Sequence, residues 1–426
     1  MPSAATEKLG TFASLRIPNF RRLLTGSILS NAAQWIQQIT LSWLIYDLTG
    51  SGTMLGSINL VRTVASVCMI PVAGLIVDRL NRRLLITIEN SWLFTITLTL
   101  GLLLFFGHAH IWFLFVFAFL GGMVQTVDMT LRQVLIFDLV PRPRAPNAVA
   151  LIQTGWSLMR VVGPSAGGFF ILWFGAGGNF LIQASMYILI AITIVQIRFP
   201  PQRRVTVRGS PLENIRDGIS YVARERVTRT FMLMGVIMPL LTIPIFSILP
   251  PIYAVEVFGD ASGKILGFLM ASVGVGGIIG GVVTASLGRV EHRGRLQLVA
   301  LFLLCLALIA FALTSILPLA LLFMALSGFF EMIFLATNQT LLQLSIPNDL
   351  RGRVTSVLSL STVLSPLGGL LAGAGSDLFG GPKVITIILA SIAAGVAVLV
   401  FLFSPTVRNY RMSQGLTSVS AETPTD

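Results

Sequence analysis

The chain has 426 residues, of which 54% are hydrophobic and only 11% are charged. A soluble protein of this composition would expose large apolar patches to water, so an ordinary soluble domain is excluded. The net charge of +12 is spread over many short polar connections, which argues against a nucleic-acid partner.

Long apolar runs and short polar connections alternate along the whole chain. A helix needs about 20 apolar residues to cross a bilayer, and a helix satisfies its own backbone hydrogen bonds in lipid. The pattern therefore predicts an all-α membrane protein with twelve transmembrane helices. In chain order, the predicted spans are 20–47, 52–78, 83–107, 111–139, 147–174, 178–198, 231–255, 263–287, 296–314, 316–345, 353–379 and 383–404.

Lysine and arginine fall almost entirely in every second connection. Lys264 and Lys383 are the only two in the alternate connections, and Arg62, Arg132 and Arg160 lie inside apolar runs. Connections rich in lysine and arginine stay in the cytoplasm. Both termini are therefore predicted to be cytoplasmic, and the number of spans must be even.

The predicted spans form two groups of six, separated by one long polar segment. Residues 20–199 are predicted to form an N-terminal six-helix bundle, and residues 231–412 a C-terminal one. Residues 200–230 form a cytoplasmic linker between them. Residues 1–19 form a cytoplasmic arm, and the polar tail 413–426 is predicted to be disordered.

The linker contains the pattern of a short amphipathic helix. Ser210 and Glu213 form a capping box, and Pro211 stands at the first helical position. Four apolar residues then share one face of the helix: Leu212, Ile215, Ile219 and Val222. We expect a helix on the inner membrane surface that joins the two bundles; a regulatory role is the alternative.

The connection after the second predicted span carries a glycine, an aspartate and several arginines at fixed spacing. It reads Gly74-Leu75-Ile76-Val77-Asp78-Arg79-Leu80-Asn81-Arg82-Arg83, and it resembles the signature loop G-x-x-x-D-R-x-x-R-R of the major facilitator superfamily. On physical grounds, Gly74 allows two helices to approach closely, and Asp78 places a carboxylate at the cytoplasmic edge. A basic loop that only sets topology is the alternative.

Further pieces of the chain resemble the twelve-span drug and siderophore exporters of that superfamily, which include enterobactin-exporter-like and macrolide-efflux-like proteins. These pieces include Trp43–Ser51, Val127–Gln133 and Leu350–Val354. On the fifth predicted span, four residues are similar to the antiporter motif G-P-x-x-G-G of drug exporters: Gly163, Pro164, Gly167 and Gly168. The structural alternative for this motif is a bendable helix packed closely on its neighbour.

The same resemblance implies an inner gate at the cytoplasmic ends of the helices. In the superfamily, the aspartate of the signature loop and a pair formed by a loop arginine and an acidic residue lock this gate. Here these residues are Asp78, Arg82 and Asp138, and Asp78 is expected near Gly352. Gly74, Arg79 and Arg83 complete the gate motif.

Several ionisable residues lie inside predicted spans, where a charge costs about 2.5–3.5 kcal/mol on insertion scales. They are Arg62, Glu89, Asp128, Arg132, Arg160 and Glu331. Asp128 and Arg132 are four residues apart and share a helix face. A structural ion pair and a role in proton coupling are both open for them. Glu89 lies nearer the cytoplasmic edge, where gating or snorkelling competes with proton binding; Glu331 has no basic partner on its own helix face.

The first predicted span carries a polar stripe at helical spacing, formed by Asn31, Gln34, Trp35 and Gln38. Facing a central cavity, these side chains would supply hydrogen bonds and an aromatic surface. Together with Asn338 of the tenth span they form the predicted substrate cavity. Helix–helix packing is the alternative role for the stripe.

These observations predict a secondary active transporter in the bacterial inner membrane. It would export a small amphipathic drug-like or siderophore-like compound by proton antiport, with rocker-switch alternating access. The export direction follows from the resemblance only. An uptake transporter, a lipid flippase and a non-transporting membrane sensor or scaffold are the alternatives.

The expected partners are the substrate, protons and membrane lipids, and the protein is expected to be a monomer. The sequence has no P-loop, no nucleophile–base pair and no metal-ligand spacing. We therefore predict neither an enzyme nor a cofactor or metal site.

Overall fold

The computed structural model of the protein describes residues 13–141, 144–197, 199, 219–260, 262–286, 291–346, 354 and 364–410. Within these residues the protein is helical and has no β-strand. Nine helices of this described part are long and apolar enough to cross a bilayer. Those nine do not include the first helix, whose polar stripe lowers its hydropathy.

Four helices follow one another at the N-terminal end. They are α1 (Pro18–Thr49), α2 (Gly52–Arg79), α3 (Arg82–Phe105) and α4 (Ile111–Leu139). Side chains cap two of them. Asn81 Oδ1 accepts a hydrogen bond from the Arg83 backbone N–H at 2.9 Å, and His110 Nδ1 accepts one from the Trp112 N–H at 3.4 Å. Such caps satisfy donors that a helix start leaves unpaired.

Helix α5 (Ala145–Val195) contains both the fifth and the sixth predicted spans. Gly175 interrupts it with φ 67° and ψ 177°, a conformation that glycine adopts without steric cost. Asn179 Nδ2 donates to the Gly167 carbonyl oxygen at 3.1 Å across this interruption. The two parts of α5 therefore lie side by side near Gly175.

Helix α6 (Arg226–Val257) contains two wider π-helical turns, at Met238–Thr242 and at Tyr253–Val257. Four prolines lie in this helix: Pro239, Pro244, Pro250 and Pro251. The chain stays helical through all four. Proline removes one backbone donor and clashes with the preceding turn, and a π turn relieves this locally.

Only the end of the predicted linker helix falls within the described residues, where 219–224 are helical. Val222 is buried against Phe231 and Leu341, whereas Ile219 is half-exposed. These two residues of the predicted apolar face therefore differ in burial. The positions of the capping pattern, 210–215, lie outside the described residues.

The C-terminal helices are α7 (Lys264–Ser286), α8 (Arg293–Leu313), α9 (Leu317–Leu344), α10 (Leu364–Leu378), α11 (Pro382–Phe403) and the short α12 (Pro405–Arg408). Asp260 caps the start of α7, where its Oδ2 accepts from the Ile265 N–H at 2.6 Å.

The chain divides into two compact units. The first comprises Met1–Leu41 and Val61–Thr206, and the second comprises Ser42–Leu60 and Val207–Asp426. The C-terminal part of α1 and the start of α2 thus pack with the C-terminal helices.

Each unit has its own apolar core. Phe20, Ile86, Leu131 and Ile190 are fully buried in the first. Large apolar side chains such as Phe105, Trp112, Trp173 and Leu378 are instead mostly exposed. Such an apolar surface is stable when lipid covers it.

Candidate functional site

A charged cluster lies in the interior of the first unit, on α3 and α4. The guanidinium of Arg132 forms a short ion pair with Asp128, four residues earlier on α4. Arg132 Nη1 also donates to the Ser27 hydroxyl of α1 at 3.3 Å. Asp128 is 3% exposed, so water does not solvate this pair to any useful extent.

Glu89 of α3 belongs to the same cluster. It is 4% exposed and interacts electrostatically with both Asp128 and Arg132. Its two oxygens accept no hydrogen bond from the described residues. A protonated Glu89, however, would donate to Asp128, which it faces. Two carboxylates and one guanidinium therefore lie in one buried cluster, in which Arg132 forms its ion pair with Asp128. The sequence predicted that pair but not the place of Glu89.

Tyr187 of α5 also borders the cluster, and sequence analysis did not single it out. It is buried and interacts with Asp128, Glu89 and Arg132. On its other side it lines a polar cavity of about 20 Å³. That space is sufficient for about one water molecule. The only signal in the sequence was a tyrosine inside an apolar run.

The polar stripe of α1 makes contacts with three other helices. Gln38 Oε1 accepts from Arg62 Nη1 of α2 at 2.5 Å, and Gln34 Oε1 accepts from Gln125 Nε2 of α4 at 3.3 Å. The Trp35 ring packs against Trp156 of α5 with its centroid 6.0 Å away and the two planes tilted by 60°, and Asn31 is half-buried. The stripe therefore takes part in both cavity lining and helix packing.

The antiporter-like motif lies where α5 packs on α1. A side chain at Gly163 would collide with Trp35, and one at Gly167 would crowd the Ile36 backbone. Gly163, Gly167, Gly168 and Pro164 are all buried. Asn179, which the sequence did not flag, fixes this contact: its Nδ2 donates to the Thr40 hydroxyl at 2.6 Å as well as to Gly167. Arg160, one turn before the motif, is half-buried.

In the second unit, two predicted residues lie on α9. Glu331 is 5% exposed, and Asn338 is 6% exposed. Asn338 Oδ1 accepts from Gln297 Nε2 of α8 at 2.6 Å. Gln297 is completely buried and was missed because a single glutamine in an apolar run has no helical pattern around it.

The gate motif is partly described. Arg82 Nε donates to Asp138 Oδ2 at 3.4 Å and forms an ion pair with it at the ends of α3 and α4. Arg83 Nη2 donates to the Val195 carbonyl oxygen at 3.4 Å, and Arg79 is exposed. The side chain of Asp78 and the residue Gly352 lie outside the described residues.

Gly74 has no close neighbour among the described residues. No atom of these residues lies within 4 Å of the position that a side chain at Gly74 would occupy. The segment near Gly352, which is expected beside this motif, lies outside the described residues, so the close helix approach at Gly74 stays a prediction. Of the contacts at glycines in the described part of the chain, the closest approaches of α2 occur at Gly373, where an added side chain would meet the Gly52 carbonyl oxygen, and at Gly122, where it would meet the Arg62 carbonyl oxygen.

A second group of polar contacts joins the other ends of the helices within the second unit. The Tyr46 hydroxyl of α1 donates a short hydrogen bond to Glu256 of α6. Asp377 of α10 accepts from the Ser51 hydroxyl at 2.7 Å and from the Gly52 N–H at 2.7 Å. These contacts join positions far apart in the chain, and no local pattern indicated them.

Comparison with known proteins identifies the family. The profile of a family described as transmembrane secretion effectors, within the major facilitator superfamily, matches residues 9–422. The chain belongs to this family. The resemblance inferred from the sequence motifs is thereby confirmed.

Two relatives cover most of this major facilitator chain. The staphyloferrin A transporter of Staphylococcus aureus is 26% identical over 359 residues, which are 84% of this chain and 89% of the relative. The multidrug efflux pump Tap of Mycolicibacterium fortuitum is 26% identical over 369 residues, again 84% and 89% of the two chains.

Solved structures show the same fold. A bacterial homologue of the human lysosomal transporter Spinster aligns with a TM-score of 0.70 and 16% identity, over 92% of this chain and 98% of that one. A D-xylose–proton symporter aligns with a TM-score of 0.68 and 13% identity, over 93% and 99%. The protein is thus a multi-pass transporter of small molecules in the bacterial inner membrane, and not an enzyme.

Proposed function

We propose that this major facilitator transporter exports a small amphipathic drug-like or siderophore-like compound in exchange for protons. The buried Glu89–Asp128–Arg132 cluster is the observation that carries the proposal. When Glu89 and Asp128 are both ionised, the cluster has two negative charges and only the one positive charge of Arg132. One bound proton makes it neutral, and a buried group that gains and loses such a charge is suited to coupling.

The charge count gives the cluster two states. In the proton-loaded state, Glu89 donates a hydrogen bond to Asp128, and Arg132 balances the remaining carboxylate. In the unloaded state, Glu89 has no hydrogen-bond donor among the described residues, so the arrangement is electrostatically unfavourable. A helix movement that opens a water path to Glu89 then stabilises the unloaded form.

Transport in this proposal follows from two bundles that rock about a central cavity. Twelve helices form the bundles 20–199 and 231–412, with both termini in the cytoplasm. Gln34, Gln38 and Trp35 of α1 contribute substrate contacts from the first bundle, and Asn338 of α9 contributes one from the second. The Arg82–Asp138 pair holds the cytoplasmic ends of α3 and α4 together while the inner side is closed.

Export is favoured over uptake by one relative, which is named as a multidrug efflux pump. The other is named as a staphyloferrin A transporter, a name that gives no direction. The motif at Gly163–Gly168 is similar to the antiporter motif of drug exporters, and it packs directly against the polar stripe at Trp35.

Proteoliposomes with an imposed pH gradient test the proposal. Movement of three xanthene dyes would be measured: fluorescein, its methyl ester and rhodamine 6G, with protein-free liposomes as the blank. Gradient-driven movement of at least one dye is expected for the wild type. Glu89→Gln and Asp128→Asn should abolish the gradient dependence but leave downhill exchange.

Asp47→Asn is the matched control, because Asp47 is an exposed carboxylate at the outer end of α1. Undiminished gradient-driven movement in both cluster variants would exclude this cluster as the coupling site. Absence of any protein-dependent movement would count against export itself.

A further inference from the structure

Arg62 lies inside α2 and is half-buried. Its Nη1 donates to Gln38 Oε1 at 2.5 Å. The described residues contain two ion pairs, Arg82–Asp138 and Arg132–Asp128, and Arg62 belongs to neither. Its positive charge is therefore balanced by an amide oxygen but by no carboxylate of the described chain. An intramembrane charge is costly and usually marks a functional site.

Helix packing does not require an arginine at this position. A side chain at Gly122 of α4 would collide with the carbonyl oxygen of Arg62. In the second half of the chain, a side chain at Gly328 of α9 would collide in the same way with the carbonyl oxygen of Val273 in α7. Val273 thus occupies the same packing position as Arg62.

One turn further along, the α2–α4 pair and the α7–α9 pair again make equivalent contacts. The Ser66 hydroxyl of α2 donates to the Gly122 carbonyl oxygen at 2.9 Å. A side chain at Gly277 of α7 would lie 3.9 Å from the Gly328 carbonyl oxygen. The backbone contact is therefore made equally well with valine in place of arginine, and the guanidinium needs a different explanation.

The surroundings of Arg62 suit an anionic ligand. Arg62 lines the cavity of about 20 Å³, together with Gln34, Gln37, Gln125 and Tyr187. These neighbours are neutral and carry hydrogen-bond donors. Arg62, Gln34 and Gln125 are half-buried, whereas Gln37 and Tyr187 are buried. The space admits about one water-sized group, such as one carboxylate oxygen, while the rest of a ligand stays outside.

We propose that Arg62 is the counter-ion for a carboxylate carried by the exported compound, so that the transporter selects amphipathic carboxylates over cations. The proposal rests on the export function proposed above. A guanidinium binds the two oxygens of a carboxylate with two parallel hydrogen bonds, and the amides of Gln34, Gln37 and Gln125 would donate to the free lone pairs of those same oxygens. Substrate binding would then release Arg62 from its contact with Gln38.

Direct binding tests this selectivity without any gradient. Fluorescence anisotropy of fluorescein, its methyl ester and rhodamine 6G would be titrated with the purified transporter in weakly alkaline buffer, with empty micelles subtracted. The three dyes share one ring system and differ mainly in charge. The wild type is expected to bind fluorescein at least about tenfold more tightly than rhodamine 6G. Equal binding of the three dyes, or tighter binding of rhodamine 6G, would overturn the proposal.

Variants at Arg62 test whether this residue causes the preference for fluorescein. Arg62→Gln should weaken fluorescein binding about tenfold or more and leave rhodamine 6G binding unchanged or improved. Arg62→Lys should retain part of the preference, because it keeps the charge but loses the bidentate geometry. Arg62→Val introduces valine, the residue found at the equivalent position 273 in the second half of the chain. It should behave like Arg62→Gln. Lys264→Gln, which removes an exposed cation elsewhere, should change nothing.

The outcomes separate this proposal from the export function. Unchanged fluorescein preference in folded, monodisperse Arg62→Gln protein would refute the role of Arg62, even if export in liposomes is intact. Arg62-dependent carboxylate binding without gradient-driven movement would instead support the binding site and count against export. If an Arg62 variant does not fold, the comparison of the three dyes on the wild-type protein still tests the proposal.

Discussion

Asp377 and Gly52 are 325 residues apart in the chain, yet the Asp377 carboxylate accepts a hydrogen bond from the Gly52 N–H at 2.7 Å. Asp377 also accepts from the Thr53 N–H at 2.9 Å. It therefore caps the start of α2 from the end of α10. A carboxylate at a helix N-terminus pairs free donors and opposes the positive end of the helix dipole. At Gly52, a side chain would also crowd the Gly373 carbonyl oxygen, so the two helices touch there.

Asp377→Ala should destabilise the protein by about 1 kcal/mol, because the first turn of α2 loses its cap. Thermal unfolding of the purified protein in detergent measures the effect. Asp47→Ala removes an exposed carboxylate that caps no helix in the described residues, and it should leave the midpoint nearly unchanged. Equal losses in both variants would show that the cap at Gly52 contributes nothing specific.

Gly122→Ala and Gly328→Ala should each destabilise the protein by about 1–3 kcal/mol. A methyl group at either site meets a backbone carbonyl oxygen that cannot rotate away. Gly74→Ala is the matched control, because open space surrounds that position in the described residues. It should be neutral or slightly stabilising, since alanine favours a helix more than glycine does. Unfolding midpoints of the three variants would be compared.

Arg132→Gln should be the most damaging single change in the charged cluster, at about 3–5 kcal/mol, because it leaves two buried carboxylates without a counter-ion. Addition of Asp128→Asn should recover much of the loss by removing one of those charges. Yield of monodisperse protein and its unfolding midpoint report both effects. Arg21→Gln, at an exposed arginine, serves as the control.

No recovery in the double variant would mean that Arg132 stabilises the protein through packing. In that case the charge count at Glu89 and Asp128 would also lose its energetic basis.

The Arg82–Asp138 pair should show a small coupling energy of about 0.5–1 kcal/mol, because Asp138 is partly solvated. A double-mutant cycle with Arg82→Gln and Asp138→Asn measures it from unfolding midpoints. The coupling should shrink as salt is raised, since solvent ions screen an exposed pair. A coupling that is zero at low salt would argue against the contact, and a salt-independent one would argue for a buried pair.

Local sequence pattern was sufficient for many helix bounds. The spans predicted at 20–47, 52–78 and 111–139 correspond to α1, α2 and α4, whose ends lie within two residues of the predicted ones. Apolar length and turn residues act over a few positions along one chain segment. The wider π turns of α6 were not predicted, because they depend on how the backbone relaxes around its prolines.

Partners across helices were predicted far less well. Asp128 and Arg132 were paired in advance because a four-residue spacing fixes a shared helix face. Glu89 and Tyr187 were not assigned to that pair, since their place depends on the rotation and height of α3 and α5 beside α4. The contacts of Gln297 with Asn338 and of Asn179 with Thr40 were missed for the same reason.

By itself, the amino-acid sequence determined that this chain is a helical membrane protein of the major facilitator superfamily. Hydropathy and motif spacing are local properties, so no neighbour is needed to read them. Only the tertiary structure decided which charges meet: Glu89 beside Asp128, Arg62 with Gln38, and Asp377 at Gly52. Such meetings depend on how each helix is turned and shifted against the next, and side-chain packing over the whole unit fixes that arrangement.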